Sequence, residues 1–129
     1  MRAIQMTLFS ILLFSSYACN QSEQKSRETP SNKFVSTKGQ LIAFLNPNGS
    51  PCQMQEEVLG RILNTISDKV DVKRVYTTNE GDISYFYQYG IRALPSLILL
   101  NSRGEEVKRF APGIKEEDEI TTAINNCKC

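Results

Sequence analysis

The chain has 129 residues and a formal net charge of +1, which indicates one domain and excludes a nucleic-acid binder that works through a basic surface. It contains no histidine, so Cys–His nucleophilic catalysis and histidine-based zinc or copper(II) sites are excluded. Four cysteines, at positions 19, 52, 127 and 129, remain as the candidates for chemistry.

Residues 1–18 have the layout of a secretory signal peptide: a basic start, an apolar run and a few small residues that lead to Cys19. The run is too short for a transmembrane helix of about 20 residues. Cys19 resembles the acylated cysteine of bacterial lipoproteins, although Ser16 and Tyr17 replace the usual Leu and small residue. The alternative is a conventionally cleaved periplasmic or secreted protein. Both interpretations place the domain outside the cytoplasm, where disulfides persist.

Residues 19–38 predict a lipid-attachment cysteine followed by a flexible tether. They are mostly Gln, Ser, Glu, Lys, Asn and Thr, with few apolar side chains to bury. A tether behind a lipid anchor would hold the folded domain, residues 39–129, a short distance from a membrane.

The folded part predicts four strands and three helices from its apolar runs and helical spacings. In chain order the predicted elements are strand 41–45, helix 52–67, strand 70–76, a helix from 77 that Gly90 ends, strand 96–100, a turn at 101–104, strand 105–110 and helix 115–126. The order β-α-β-α-β-β-α predicts an α/β fold with a central four-stranded mixed sheet flanked by three helices. Because the first three strands alternate with helices, we expect them to be parallel, with the last hairpin adding an antiparallel edge.

The first predicted helix begins at Cys52. Ser50 is a natural N-cap, Pro51 suits the first helical position, and Gln53 stands where a capping box needs it. The sulfur of Cys52 would then lie near unpaired backbone N–H groups and the positive end of the helix dipole, which favour a thiolate. The alternative interpretation is that Cys52 is a small buried apolar residue.

Two stretches carry a family resemblance. Residues 89–97, Tyr-Gly-Ile-Arg-Ala-Leu-Pro-Ser-Leu, closely resemble the thioredoxin family's YGIRGIPTL, and the turn at 101–105 resembles that family's hairpin. Gly113 matches the glycine before its last helix, and the similarity covers roughly residues 39–126. The resemblance implies a thioredoxin-like fold in which Pro95 is cis and faces the active site, while Leu94 offers its backbone to the substrate.

The active-site motif departs from the family's W-C-G-P-C, because the matching residues are Asn48-Gly49-Ser50-Pro51-Cys52. The resemblance therefore puts Gly49 in place of the attacking cysteine, keeps Cys52 as the resolving one, and puts Ala43 in place of the buried acid. Exchange between two cysteines of one motif is thus excluded. We expect Asn48 and Gly49 to leave the sulfur of Cys52 more accessible than usual. The substrate contacts that the resemblance implies are Leu94, Pro95, Gly49, Ser50 and Pro51.

The chain ends in Cys127-Lys128-Cys129, which supports several interpretations. Either cysteine could act as the redox partner of Cys52. The two could pair with each other in an easily reduced disulfide. They could bind a soft metal such as Cu(I) with Met54 or Cys52 nearby. Finally, one of them could make a static disulfide that pins the tail.

Two functions follow from these residues. The first is an extracytoplasmic, membrane-anchored thiol–disulfide oxidoreductase that needs no cofactor. Cys52 would react with a protein thiol or disulfide, Cys127 or Cys129 would resolve the product, and a membrane thiol carrier would supply electrons, as the resemblance implies. The second is a catalytically inactive thioredoxin-fold binding module, or a Cu(I) carrier.

Overall fold

The computed structural model describes residues 37–129, so the predicted signal peptide, the lipid-attachment Cys19 and nearly all of the tether lie outside the described residues. The elements, in chain order, are β1 (Gly39–Leu45), α1 (Ser50–Ile66), β2 (Val70–Tyr76), a short 3-10 helix (Glu80–Asp82), α2 (Ile83–Gln88), β3 (Ser96–Leu100), β4 (Glu106–Arg109) and α3 (Glu117–Asn126). This confirms the predicted order of four strands and three helices. Between residues 37 and 129, no helix is long and apolar enough to cross a membrane.

The four strands form one mixed sheet in the order β2-β1-β3-β4. β1 is parallel to β2 but antiparallel to β3, and β3 is antiparallel to β4. The expectation that the first three strands are all parallel is therefore wrong for β3. The strand registers show why: Phe44 is paired with Val75 near the end of β2 and with Ser96 at the start of β3. The chain enters β3 at the end of the sheet where β2 finishes.

Helices cover both faces of the sheet, which explains why β1 is an almost continuous apolar run. Leu41, Ala43 and Leu45 pack with α1 and α3 on one face. Ile42 and Phe44 pack on the other, where the α2 side chains Tyr85 and Phe86 meet them, and the rings of Phe44 and Phe86 form an edge-to-face pair at 5.3 Å. The remaining members of this second cluster and its periphery are Val75, Ile98, Leu100, Tyr89, Ile91 and Leu94. Alternate residues of β1 thus serve two separate cores.

Helix α1 begins one residue earlier than a Ser50 cap predicts. Gly49 is the N-cap in an extended conformation, and its carbonyl accepts hydrogen bonds from the N–H groups of Cys52 and Gln53, both at 3.0 Å. No side chain caps this helix, so the predicted capping box does not form. Instead, Nε2 of Gln53 donates to the carbonyl of Pro47 at 2.9 Å.

Helix α3 begins at Glu117, two residues later than predicted. The cause is Gln55, a fully buried residue of α1. Its Oε1 accepts a hydrogen bond from the Lys115 N–H at 2.6 Å, and its Nε2 donates to the Lys115 carbonyl at 3.3 Å. The backbone of Lys115 is thereby held by α1 rather than by α3. Gly90, at φ +61°, follows α2 as predicted and donates to the Tyr87 carbonyl.

Candidate functional site

The turn between β1 and α1 places Cys52 at the end of the sheet where β1 finishes. Asn46 shapes this turn, because its side-chain oxygen accepts from the Asn48 N–H and its carbonyl accepts from the Gly49 N–H, both at 3.0 Å. Cys52 then lies in the first turn of α1 and joins the core cluster on that face of the sheet. Of the three cysteines in the described part of the chain, Cys52 is the free thiol.

Cys52 is only 3% exposed, so the expectation of an unusually accessible sulfur is wrong. The side chain lies on the face of α1 that packs against β1, and the missing side chain at Gly49 does not uncover it. A Cβ placed on Gly49 would meet only atoms of Asn46, the closest at 3.4 Å, which is ordinary contact. Gly49 therefore has room for a small side chain, but its lack of one leaves Cys52 buried.

Cys52 nevertheless borders a cavity of about 490 Å³ that opens to the surface. The residues that line it are Leu45, Pro47, Cys52, Gln53, Glu56, Tyr76 and Thr78. The walls are mostly apolar near the sheet and polar where β2 ends. A partner side chain that enters this cavity can therefore approach the thiol without unfolding α1.

One wall of the cavity carries a hydrogen-bonded group around Glu56. Tyr76 donates its hydroxyl to Oε1 of Glu56 at 2.6 Å, and Arg74 Nε donates to Oε2 at 2.8 Å. Burial raises the pKa of Tyr76 to about 12, with the hydrogen bond and the negative charge of Glu56 acting in the same direction. Glu56 is thus the one carboxylate among the residues that line the cavity.

Sequence reasoning missed this carboxylate, although one signal could have found it. Glu56 stands four residues after Cys52 and so shares its face of α1. Ala43 occupies the position where the family resemblance places a buried acid. Arg74 lies opposite Ala43 in the β1–β2 register. The acidic group of this site therefore comes from the helix rather than from the strand.

The proline loop lies at the same end of the sheet as Cys52. The Leu94–Pro95 peptide bond is cis, which confirms that prediction. The Pro95 carbonyl accepts from the N–H of Gly113 at 2.9 Å, and Gly113 has φ +111°, which explains a glycine at that position. The Leu94 side chain packs against the core clusters of both faces. Neither Leu94 nor Pro95 lines the cavity beside Cys52, and their contacts with substrate stay a prediction.

The two tail cysteines pair with each other. Cys127 and Cys129 form a disulfide with their Cα atoms 5.1 Å apart, so neither is bonded to Cys52. Cys129 packs beside Gly39 and Leu100, with its sulfur 3.9 Å from the Leu100 carbonyl oxygen. Gly39 begins β1 and Cys52 follows its other end, about 20 Å away along seven residues. The structure therefore does not bring the predicted resolving cysteines to Cys52.

The distance between the two ends of β1 also keeps the predicted soft-metal ligands apart. Both tail sulfurs are bonded to each other, and Met54 lies in the first turns of α1, at the Cys52 end of the sheet. Within residues 37–129 no group of three or more cysteine and carboxylate side chains lies close enough to hold a metal ion. The arrangement does not assemble the Cu(I) site that the sequence suggested.

A four-stranded mixed sheet, a cis-proline loop and a helix that starts beside a cysteine together define a thioredoxin-fold domain. The thioredoxin family model matches residues 23–126, and the chain belongs to the thioredoxin family. The structure is also similar to that of thioredoxin-2 of the malaria parasite, described as a component of the parasite's protein secretion machinery. The two share a TM-score of 0.63 and 14% sequence identity, over 70% of this chain and 84% of that one. At this identity the likeness shows the fold.

Proposed function

We propose that this protein exchanges thiols and disulfides with protein partners through Cys52, and that it does so outside the cytoplasm as a lipid-anchored protein. One observation carries the proposal: Cys52 is a free thiol that borders an open cavity at the end of the sheet where the cis-proline loop lies. Membership of the thioredoxin family supports protein thiols as the partners.

The exchange needs only one cysteine of this chain. The Cys52 thiolate attacks one sulfur of a partner disulfide, a mixed disulfide forms, and the second partner sulfur leaves as a thiolate. A second thiol, one of a pair outside the chain, then attacks the Cys52 sulfur and releases the partner's sulfur as a thiol. Its neighbouring thiol displaces Cys52, which leaves Cys52 reduced and the external pair oxidised to a disulfide. We assign this second thiol to a membrane thiol carrier, because Gly49 has no sulfur and the tail cysteines lie at the other end of β1.

Glu56 is suited to take the proton of Cys52 in the first step. Both of its oxygens accept a hydrogen bond, from Tyr76 and Arg74, but an ionised carboxylate has about four acceptor sites and so retains capacity. The Arg74 guanidinium keeps a positive charge beside the carboxylate. These two contacts stabilise the ionised carboxylate, so Glu56 holds the proton only while the thiol reacts.

The test uses the full chain with both tail cysteines replaced, Cys127→Ser/Cys129→Ser, so that the tail cannot contribute. This variant is incubated with insulin as the disulfide probe, and adducts are mapped to individual cysteines by peptide mass spectrometry. We expect a mixed disulfide on the peptide that contains Cys52. The matched control adds Cys52→Ser and should lose that adduct. Absence of the adduct in the tail variant at a pH where free cysteine reacts would overturn the proposal.

The burial of Cys52 favours a second candidate, a binding module that holds a protein partner without exchange. Its cavity would then accept an apolar side chain against Leu45 and Pro47, with the polar wall at Tyr76 fixing orientation. Under this alternative, insulin forms no adduct, and a captured partner binds wild type and Cys52→Ser equally well. Weaker capture by Cys52→Ser would favour exchange.

The lipid anchor at Cys19 is a separate part of the proposal and has its own test. The sequence up to Cys19 supports it through a basic start, an apolar run and a cysteine at the cleavage point. Bacterial cells that express the full chain are fed labelled palmitate. We expect label on the wild type and none on Cys19→Ser, which should appear in the soluble fraction. Equal labelling of both proteins would exclude lipidation at Cys19.

A further inference from the structure

We propose that the Cys127–Cys129 disulfide is a second redox centre, independent of Cys52, that oxidises a dithiol on a protein partner. The disulfide lies at the end of β1 opposite to Cys52, so the two sulfur groups act on different surfaces of the domain. This inference goes beyond the exchange proposed for Cys52 and does not depend on it.

The disulfide is accessible from an open cavity of about 610 Å³ between β4 and α3. Cys127 and Lys128 line one end of this cavity, with Val107 and Lys108 on the β4 side and Asn126 on α3. Both cysteines are partly exposed, in contrast to the buried Cys52. A cysteine on an extended segment of a partner can therefore reach the disulfide through this cavity.

A structural role explains the disulfide poorly. It joins residues only two positions apart, and a cross-link stabilises a fold mainly by closing long loops in the unfolded chain. A loop this short therefore contributes little to stability. The tail is already held by packing, because Cys129 contacts the Gly39 and Leu100 backbone and Cys127 packs against the core cluster. Accessible disulfides that do not tie distant segments together are the ones suited to exchange.

The surroundings distinguish the two sulfurs. Cys127 lines the cavity and Cys129 does not, so we assign the Cys127 sulfur as the one that an incoming thiolate meets. Cys129 is turned toward the strand end, and its sulfur lies 3.9 Å from the Leu100 carbonyl oxygen. Once released and protonated, the Cys129 thiol can donate a weak hydrogen bond to that oxygen. Cys127 is therefore the attacked sulfur and Cys129 the leaving one.

The charged side chains around the cavity favour attack on the disulfide by a partner thiolate. Lys128 stands between the two cysteines and is exposed, and Lys108 reaches the same cavity from β4. Both cations favour the approach of a partner thiolate to this cavity, although the Lys108 ammonium also lies 5.4 Å from the centre of the Phe110 ring. Asp118 and Glu119 line the α3 side of the cavity, where Glu119 forms an ion pair with Lys115 at 3.8 Å. The positive groups thus lie at the disulfide end and the negative groups farther along α3.

The reaction balances with the partner dithiol as the only reductant. A partner thiolate attacks Cys127, forms a mixed disulfide and releases Cys129 as a thiolate. The second partner thiol, deprotonated, attacks the partner sulfur of the mixed disulfide and releases Cys127. The partner then holds one disulfide, and the tail holds two thiols that have gained two electrons and two protons.

The experiment uses the full chain with Cys52→Ser, isolated in the oxidised form. It is mixed with an equimolar reduced peptide that carries two cysteines, quenched with acid, and alkylated. Mass spectrometry then follows peptide disulfide and tail thiols. We expect peptide disulfide to form in step with loss of the Cys127–Cys129 bond. The same mass spectrometry on wild type shows whether the tail disulfide is reduced without the use of a variant. A tail disulfide that stays intact in folded wild type while the peptide remains reduced would overturn the proposal.

Two further comparisons test the assigned roles. Cys129→Ser should form a mixed disulfide with the oxidised peptide faster than Cys127→Ser, because Cys127 faces the cavity; equal or reversed rates would overturn the assignment of the attacked sulfur. Lys128→Glu should slow the reaction about two- to fivefold, the size of one exposed charge interaction, while Lys128→Arg should not. An unchanged rate in Lys128→Glu would remove the electrostatic part of the argument. These comparisons are made in the Cys52→Ser background, so that their readouts are independent of Cys52.

Discussion

Cys129 packs directly on Gly39, so that the last residue of the chain lies against the first residue of β1. A Cβ placed on Gly39 would lie 2.8 Å from the Cβ of Cys129 and 2.7 Å from the Leu100 carbonyl oxygen. Real Cβ atoms essentially never approach other atoms so closely. The absence of a side chain at Gly39 is therefore what allows the tail disulfide to dock at this end of the sheet.

Gly39→Ala should destabilise the fold. The new methyl group would overlap the backbone of β3 as well as the tail, and such overpacking costs about 1–3 kcal/mol. The matched control is Gly60→Ala in the middle of α1, where a Cβ meets nothing within 4 Å, and the gain in helix propensity is about 0.5–1 kcal/mol. Urea unfolding measures both. Equal effects of the two substitutions would contradict the close approach at Gly39.

Gly49→Cys should create a functional cysteine pair with Cys52. The position has room for a side chain and an ordinary extended backbone, at φ −98°. Residues three apart in the first turn of a helix have Cβ atoms about 5–6 Å apart, close enough for a small adjustment to form a disulfide. We expect an oxidised bond between the new cysteine and Cys52, and faster insulin reduction than with the control Gly49→Ser. A variant that stays fully reduced under oxidising conditions would show that Cys52 cannot turn toward residue 49.

Gln55→Ala should lower the free energy of unfolding by about 2–3 kcal/mol, because it leaves the N–H and the carbonyl of Lys115 without their buried partner. The control is Met54→Ala, since Met54 is 52% exposed and its loss should change little. Chemical denaturation compares the two. A loss as small as that of Met54→Ala would mean that water replaces the amide without cost.

Gln55→Glu should make stability depend on pH. The new carboxylate can accept from the Lys115 N–H, but its second oxygen faces the Lys115 carbonyl, so the buried site favours the protonated acid. The folded-state pKa is then raised above the unfolded value of about 4.3. Stability close to wild type is present below that value and is lost as the pH rises through the folded pKa. A pH series of unfolding curves checks this, and a variant equally stable at acid and neutral pH would contradict it.

Ionisation of Tyr76 should lower the free energy of unfolding of the wild-type protein in alkaline solution. Burial, assisted by Glu56, raises its pKa from 10.0 to about 12. The stabilising effect is fully present below pH 10, and it is lost as the pH rises toward 12, because the unfolded phenol ionises first. Tyr76→Phe should show a smaller loss over the same range, and Glu56→Gln should bring the ultraviolet titration of Tyr76 to lower pH. If Glu56→Gln left the titration midpoint in place, burial alone would account for the raised pKa.

The sequence by itself determined the order of the elements. Short apolar runs such as 41–45 and 96–100, flanked by turn residues, indicate buried strands, and the helical spacing in α1 and α3 provides the apolar faces that cover them. The cis bond at Pro95 was predicted from the resemblance of residues 89–97 to the thioredoxin family, whereas the hairpin at 101–104 was predicted from local turn chemistry. These properties depend on residues close together in the chain.

Tertiary structure alone decided the direction of β3, the start of α3 and the composition of the site. β3 is antiparallel to β1 because the chain enters it at the end of the sheet where β2 finishes, and α3 begins late because Gln55 holds the backbone of Lys115 across 60 positions. The burial of Cys52 and the distance of the tail disulfide from it both depend on which end of β1 each segment meets. A sequence records spacing along the chain, whereas these contacts arise from packing between segments far apart in it.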